Sequence, residues 1–210
     1  MSRQPLLVVD NIEKQYTRGF FNKSVTFSLK ANFVVEDPAI IGVMGANGAG
    51  KTTMFEMITG TTPPTSGQVF CAGQDIHNVK YNERDRLAIH YHQSYQVRNI
   101  KWTKPSFMME TSPSDYPMVH LFDEPQFNTQ DGYIHFMLDF FQRLRGEGRL
   151  VFISVHPTEI YQLRIVEKIC EHFIFVADGT VTRYPDWQTF SQQEAVRDYL
   201  GDILINYEAI

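Results

Sequence analysis

An α/β fold on a mixed sheet is predicted by three observations. The run AIIGVM is apolar throughout, as a strand covered on both faces must be, and leads straight into GANGAGKTT and a helix-compatible MFEMITG. A second short apolar run, MVHLF, ends abruptly in adjacent carboxylates, Asp123 and Glu124. From there to the C-terminus, strand and helix patterns alternate.

In chain order, LLVVDNIEKQY alternates polar and apolar residues and breaks at Thr17-Arg18-Gly19. KSVTFSLKANFVV then places Val25, Phe27 and Leu29 on one side of an extended chain, a period of two. These two half-buried strands predict an antiparallel patch at the edge of the domain. After the strand, glycine loop and helix at 39–60, TTPPTSGQVFCAGQDI reads as turn, strand and turn, with Gly67 and Gly73 as punctuation. ERDRLAIHYHQ is a polar lead into another strand. Residues 94–117 have no clear period. MVHLF is a strand, DGYIHFMLDFFQRLRGEG a helix, LVFISVH a strand and IYQLRIVEKICE a helix. HFIFVADGTVTRY is extended, and WQTFSQQEAVRDYLGDILI reads as one final helix. The expected organisation is a single domain over 1–210.

The chain has 210 residues, 43% of them hydrophobic and 20% charged, an ordinary composition for a globular protein. A net charge of −5 supplies no positive field, so nucleic acid is not expected as a partner. Cys71 and Cys170, far apart in a chain with ample core, are read as buried thiols of a reducing compartment. No apolar run reaches the roughly 18 residues of a membrane span and no signal peptide is evident, so the expected location is cytoplasmic.

The segment Gly45, Ala46, Asn47, Gly48, Ala49, Gly50, Lys51, Thr52 fits G-x-x-x-x-G-K-[ST] in full, between a buried strand and a helix. Glycines let the backbone curl so that successive N–H groups face phosphate oxygens, and the helix N-terminus adds its positive end. Lys51 is placed to reach the terminal phosphates and the Thr52 hydroxyl to ligate Mg²⁺, with Thr53 following in the same loop. Beside such a loop, Asp123 can hold Mg²⁺ or its water shell and Glu124 can polarise an attacking water. The plain alternative is a pair of solvated turn carboxylates. His120, inside a strand, is read as a packed core residue. His90 and His92 share one strand face at a spacing metals tolerate, but with no third ligand beside them they are not read as a metal site.

Taken together, GANGAGKTT, LFDEP, VFISVHP and SGQVFCAGQDI resemble the nucleotide-binding subunit of ATP-binding cassette (ABC) ATPases over almost the whole chain. The resemblance implies a P-loop NTPase core with a mixed sheet, an antiparallel β subdomain, and ATP with Mg²⁺ as ligands. It also implies roles: Tyr16 in EKQY as the aromatic on adenine, Gln93 in HYHQ on Mg²⁺ and the attacking water, and His156 as the sensor of the γ-phosphate. Lys51, Glu124 and His156 would then be the catalytic set. Without the family, Tyr16 reads as a strand-end aromatic, Gln93 as an ordinary polar residue and His156 as a core histidine.

The family places a helical subdomain between the glutamine and the acidic strand, with a serine-glycine-glycine-glutamine signature near its end. Here the interval from Gln93 to Asp123 contains no glycine and nothing like that signature. A shortened segment at 94–117 is therefore expected in place of a largely absent helical subdomain. Where the family has a small residue, Leu and Asp after the carboxylates, this chain has QFNTQD, with Gln130 at the Asp position and Asp131 one residue later. The resemblance implies an ATPase of low turnover when isolated: a half-site that takes its signature from a second ABC-type subunit, as homodimer or heterodimer. Its expected place is a membrane transport or secretion complex, held at the inner membrane face through a permease or secretion subunit. The alternative is a non-hydrolysing, ATP-dependent interaction module. A kinase on the same core would need a basic acceptor lid, for which Arg98, Lys101 and Lys104 are a faint hint.

Overall fold

A computed structural model describes residues 4–19, 24–91, 117–125 and 133–209. In chain order these form β1 (Leu7–Arg18), β2 (Ser24–Val35), β3 (Ile40–Met44), α1 (Lys51–Ile58), β4 (Ser66–Cys71), β5 (Gln74–Asp75), α2 (Tyr81–Arg84) and β6 (Ala88–Tyr91). After 92–116 come β7 (Val119–Asp123), α3 (Tyr133–Gly146), β8 (Leu150–Ser154), α4 (Ile160–Ile169), β9 (His172–Ala177), β10 (Thr180–Tyr184), α5 (Trp187–Ser191), α6 (Glu194–Leu200) and α7 (Asp202–Glu208).

One ten-stranded mixed sheet runs in the order β5-β4-β1-β2-β10-β9-β3-β8-β7-β6. Strands β9, β3, β8, β7 and β6 are mutually parallel. The antiparallel β9–β10 hairpin joins them to β2, and β1, β4 and β5 extend the sheet antiparallel, as the early alternating strands predict. Every residue of β3, β7 and β8 is buried. Their side chains alternate between two cores because successive Cβ atoms point to opposite faces. Ile41, Val43, Leu121 and Phe152 join one core with Met54 and Phe55 of α1 and the inner face of β1 and β2. Ile40, Met44, Phe122 and Ile153 join the other, with α3, α4 and the C-terminal helices.

Helix α3 buries Ile134, Met137, Phe140, Phe141 and Leu144, a stripe at helical spacing, and carries Arg143 and Arg145 in its last turn, where cations suit the helix dipole. At the start of α4, Gln162 Oε1 accepts from Thr158 N at 2.6 Å and Glu159 N at 3.1 Å, satisfying two backbone donors. The expected single C-terminal helix is corrected to three short ones. Asp186 Oδ1 caps α5 by accepting from Thr189 N at 2.7 Å. Gln193 is extended, and Gly201, with φ +52°, turns the chain between α6 and α7. Phe190, Val196, Leu200 and Leu204, drawn from all three helices, share one core.

Candidate functional site

The loop between β3 and α1 owes its path to glycines. Gly45 has φ +152°, and a Cβ there would stand 2.2 Å from Val176 O of β9. Gly50 has φ +113° and caps α1 in the left-handed region; a Cβ there would come within 2.9 Å of both Leu29 and Phe27. Larger residues would push the loop off the sheet. The side chain of Lys51 turns back into the loop, Nζ donating to Gly45 O at 2.7 Å and Ala46 O at 3.2 Å. Lys51 is only 6% exposed. Burial lowers its pKa, opposed by attraction to Glu124 and Asp123.

Thr52, one residue into α1, donates from Oγ1 to Asp123 Oδ2 at 2.8 Å. Asp123 closes β7, with Ser154 as its register partner on β8. His90 of β6 sets Nε2 3.5 Å from the same Oδ2 and its ring edge-on to Phe55 at 5.4 Å. Burial pushes the Asp123 pKa up, but the contacts from His90 and Thr52 outweigh it and hold the carboxyl below its ordinary value. Glu124 follows with φ +49°, its N–H donating to Ser154 O at 3.2 Å. A non-glycine residue there carries a backbone cost of order 1 kcal/mol. The geometry turns Glu124 off the strand, and its carboxylate shares a cavity with the loop.

That cavity, about 600 Å³, is lined by Tyr16, Phe27, Asn47, Gly48, Gly50, Lys51, Thr52, Thr53, Asp123 and Glu124. Its volume falls within the roughly 300–1,000 Å³ of small-ligand sites. Within this lining, Tyr16 is 40% exposed, its ring centroid 6.1 Å from that of Phe27, with Lys14 Nζ 5.4 Å from the ring. The face of β2 that carries Leu29 in the core thus continues outward as Phe27 beneath the loop, a role the alternation showed as packing alone. Ala46 and Ala49 line the outer side of the same loop.

His156 lies just beyond β8 and is exposed. Its Nδ1 is 2.8 Å from the hydroxyl of Tyr199 on α6. No local pattern marks Tyr199 in the sequence. His120 is fully buried, Nε2 3.0 Å from Pro117 O and Nδ1 3.0 Å from the Tyr91 hydroxyl, the core residue expected. Gln93, His92, Arg98, Lys101, Lys104, Gln130 and Asp131 lie outside the described residues. Among the described residues no group of three or more His, Cys, Asp or Glu side chains could hold a metal. The Thr52–Asp123 oxygen pair does suit Mg²⁺, which uses one or two protein oxygens and completes its octahedron with water and phosphate. Among the described residues no helix is long and apolar enough to cross a membrane.

Comparisons with known proteins agree with this architecture. A chelated iron transport system membrane protein of Yersinia pestis, YfeB, is 24% identical over 94% of this chain and 80% of its own length. The methionine import ATP-binding protein MetN of Geobacillus kaustophilus is 29% identical over 47% of this chain, a match spanning only 28% of that protein. Among solved structures, an ATP-binding subunit of an ABC transporter superposes with a TM-score of 0.66 at 17% identity, covering 97% of this chain and 99% of that one. A dimeric ATP-binding cassette in a post-hydrolysis state, bound to ADP and Pi, superposes at 0.61 and 14% identity, covering 85% and 98%. These likenesses establish the fold. The stretch where the family places its helical subdomain is short here, since β6 ends at Tyr91 and β7 begins at Val119. Residues 29–139, more than half of the chain, match the family model described as ABC transporter, and the chain therefore belongs to the ABC transporter family, as one of its ATP-binding cassettes.

Proposed function

We propose that this cassette binds MgATP and hydrolyses it as a half-site, serving as a nucleotide-binding subunit of a membrane transport or secretion complex. The observation that carries the reading is the convergence of Lys51, Thr52, Asp123 and Glu124 on one cavity that Tyr16 also lines. The purine stacks on Tyr16, and the loop N–H groups and Lys51 take the phosphates. Thr52 and Asp123 supply oxygens to Mg²⁺, with Gln93 as a further contact. Mg²⁺ held there neutralises phosphate charge and orients the leaving group. Glu124 positions and deprotonates the attacking water, and His156 donates a hydrogen bond to the γ-phosphate.

Residues 1–210 act as one unit in this reading. The chain works at the inner face of a membrane through a permease or secretion subunit and pairs with a second ABC-type subunit. The dimeric cassette bound to ADP and Pi supports pairing by likeness of fold. A signature supplied by the partner would complete the site, since the Gln93–Asp123 interval contains no glycine from which to build one. That same feature favours a second reading, an ATP-dependent interaction module that does not hydrolyse. Turnover of the purified chain, alone and with a complete ABC subunit, separates them: stimulation by the partner supports the half-site, and its absence with ATP binding intact supports the module.

A further inference from the structure

We propose that Tyr199 is a positioning residue for His156: it fixes the imidazole tautomer that carries its proton on Nε2. The inference rests on the reading of His156 as the γ-phosphate contact. His156 follows β8 and Tyr199 sits on α6, 43 residues later, yet the phenol oxygen stands 2.8 Å from Nδ1, with the rings 5.8 Å apart and tilted by 53°. Tyr199 also packs against Phe175 of β9 at 5.5 Å. Val196 and Leu200 of the same helix are buried in the core, so the phenol is held from below. His156, being exposed, has few other restraints on its ring.

The direction of the hydrogen bond follows from the chemistry of the two groups. Burial raises the Tyr199 pKa to about 12, so the phenol stays protonated at neutral pH. A phenol O–H is a strong donor and a bare imidazole nitrogen a strong acceptor. The phenol proton goes to His156 Nδ1, which leaves Nε2 as the N–H-bearing atom of the neutral ring. Only that tautomer offers a phosphate oxygen a donor from Nε2. Tyr199 also lines one cavity with Ala46, Asn47, Gly48 and Ala49 of the phosphate loop.

The test uses the full chain labelled with ¹⁵N-histidine, with Tyr199→Phe and His156→Ala. Loss of one set of ring signals in His156→Ala identifies His156 among the seven histidines. The wild type should show protonated Nε2 and bare Nδ1, and Tyr199→Phe, which keeps the ring, should convert this to a tautomer mixture. Single-turnover hydrolysis of MgATP should slow about tenfold in Tyr199→Phe while ATP affinity stays within about twofold, the effect of one lost hydrogen bond expressed in the transition state. An unchanged tautomer in Tyr199→Phe overturns the proposal, and so does unchanged hydrolysis in Tyr199→Phe beside a slowed His156→Ala. If His156→Ala itself hydrolyses at the wild-type rate, the reading of His156 fails and this inference falls with it. The tautomer measurement needs no turnover, so that failure is distinguishable from a wrong Tyr199 contact.

Discussion

Thr52 and Asp123 meet at 2.8 Å, so the first turn of α1 and the end of β7 are joined by the two oxygens best suited to a hard cation. The contact spans 71 residues of chain and depends on β3 and β7 both pairing with β8. Replacing Asp123 with Ala removes one oxygen and leaves the Thr52 hydroxyl without its acceptor. ATP affinity with Mg²⁺, divided by affinity with a chelator, should fall by at least about tenfold in this variant. Calorimetry under the two conditions checks it, and an unchanged ratio counts against Asp123 as a metal contact.

Lys51 holds the loop together as well as facing the cavity, since its ammonium bonds Gly45 O and Ala46 O. Lys51→Ala should therefore weaken ATP binding by roughly 10²-fold, through loss of a charge-assisted phosphate contact and of loop order. Lys51→Arg should not rescue it, because a planar guanidinium cannot replace a compact ammonium buried among carbonyls. Equal affinities in wild type and Lys51→Ala would remove the nucleotide assignment.

Glu124 is exposed to the cavity but held in a left-handed backbone conformation at the strand end, which fixes where its carboxylate emerges. Glu124→Gln keeps shape and loses basicity. ATP binding should change by less than about threefold, while hydrolysis should fall by about 10²-fold or more if the carboxylate takes the proton from water. Rapid-quench turnover with saturating MgATP is the measurement, and a rate within a factor of two of wild type returns Glu124 to a solvated turn.

Much of this site was legible because its parts are local. The loop reads as eight consecutive residues, Gly45 to Thr52, and β3 and β7 read as apolar runs because both their faces are covered. What was not legible depends on contacts between distant segments. His90 stood out only as half of an H-x-H spacing, whereas its ring is set against Asp123 by β6 pairing with β7. Tyr199 lay inside what reads as one amphipathic helix, and periodicity cannot show that the chain turns at Gln193 and Gly201. With those turns in place, the phenol of α6 meets His156 at 2.8 Å.

The two thiols are sealed off. Burial lifts Cys71 to about 12 and Cys170 higher still, where Glu171 adds repulsion. A thiol-specific disulfide reagent at pH 8 should label neither residue in the folded chain and both after denaturant. The sign of the pH effect follows: the unfolded thiols ionise near pH 8.5 and the folded ones do not, so stability holds below that value and falls as pH rises toward the folded values. Urea midpoints at pH 8 and pH 10 check it, with Cys71→Ala/Cys170→Ala removing this part of the slope.

The half-site proposal makes the most exposed prediction. The purified chain should bind MgATP yet hydrolyse it only at a basal rate, because donors aimed at developing transition-state charge contribute factors of about 10²–10³ each and this chain holds none resembling a signature. A complete ABC subunit that pairs with it should raise turnover. The gain should vanish when the partner's signature serine is replaced by alanine, and should survive when residues 94–117 of this chain give way to a neutral linker of equal length. The swap asks whether that interval hides donors of its own: its glycine-free sequence, SYQVRNIKWTKPSFMMETSPSDYP, carries Arg98, Lys101 and Lys104, which could reach a phosphate. A fast ATPase from the isolated chain, or loss of turnover on the swap with ATP binding intact, would place the missing donors in this chain and not in a partner.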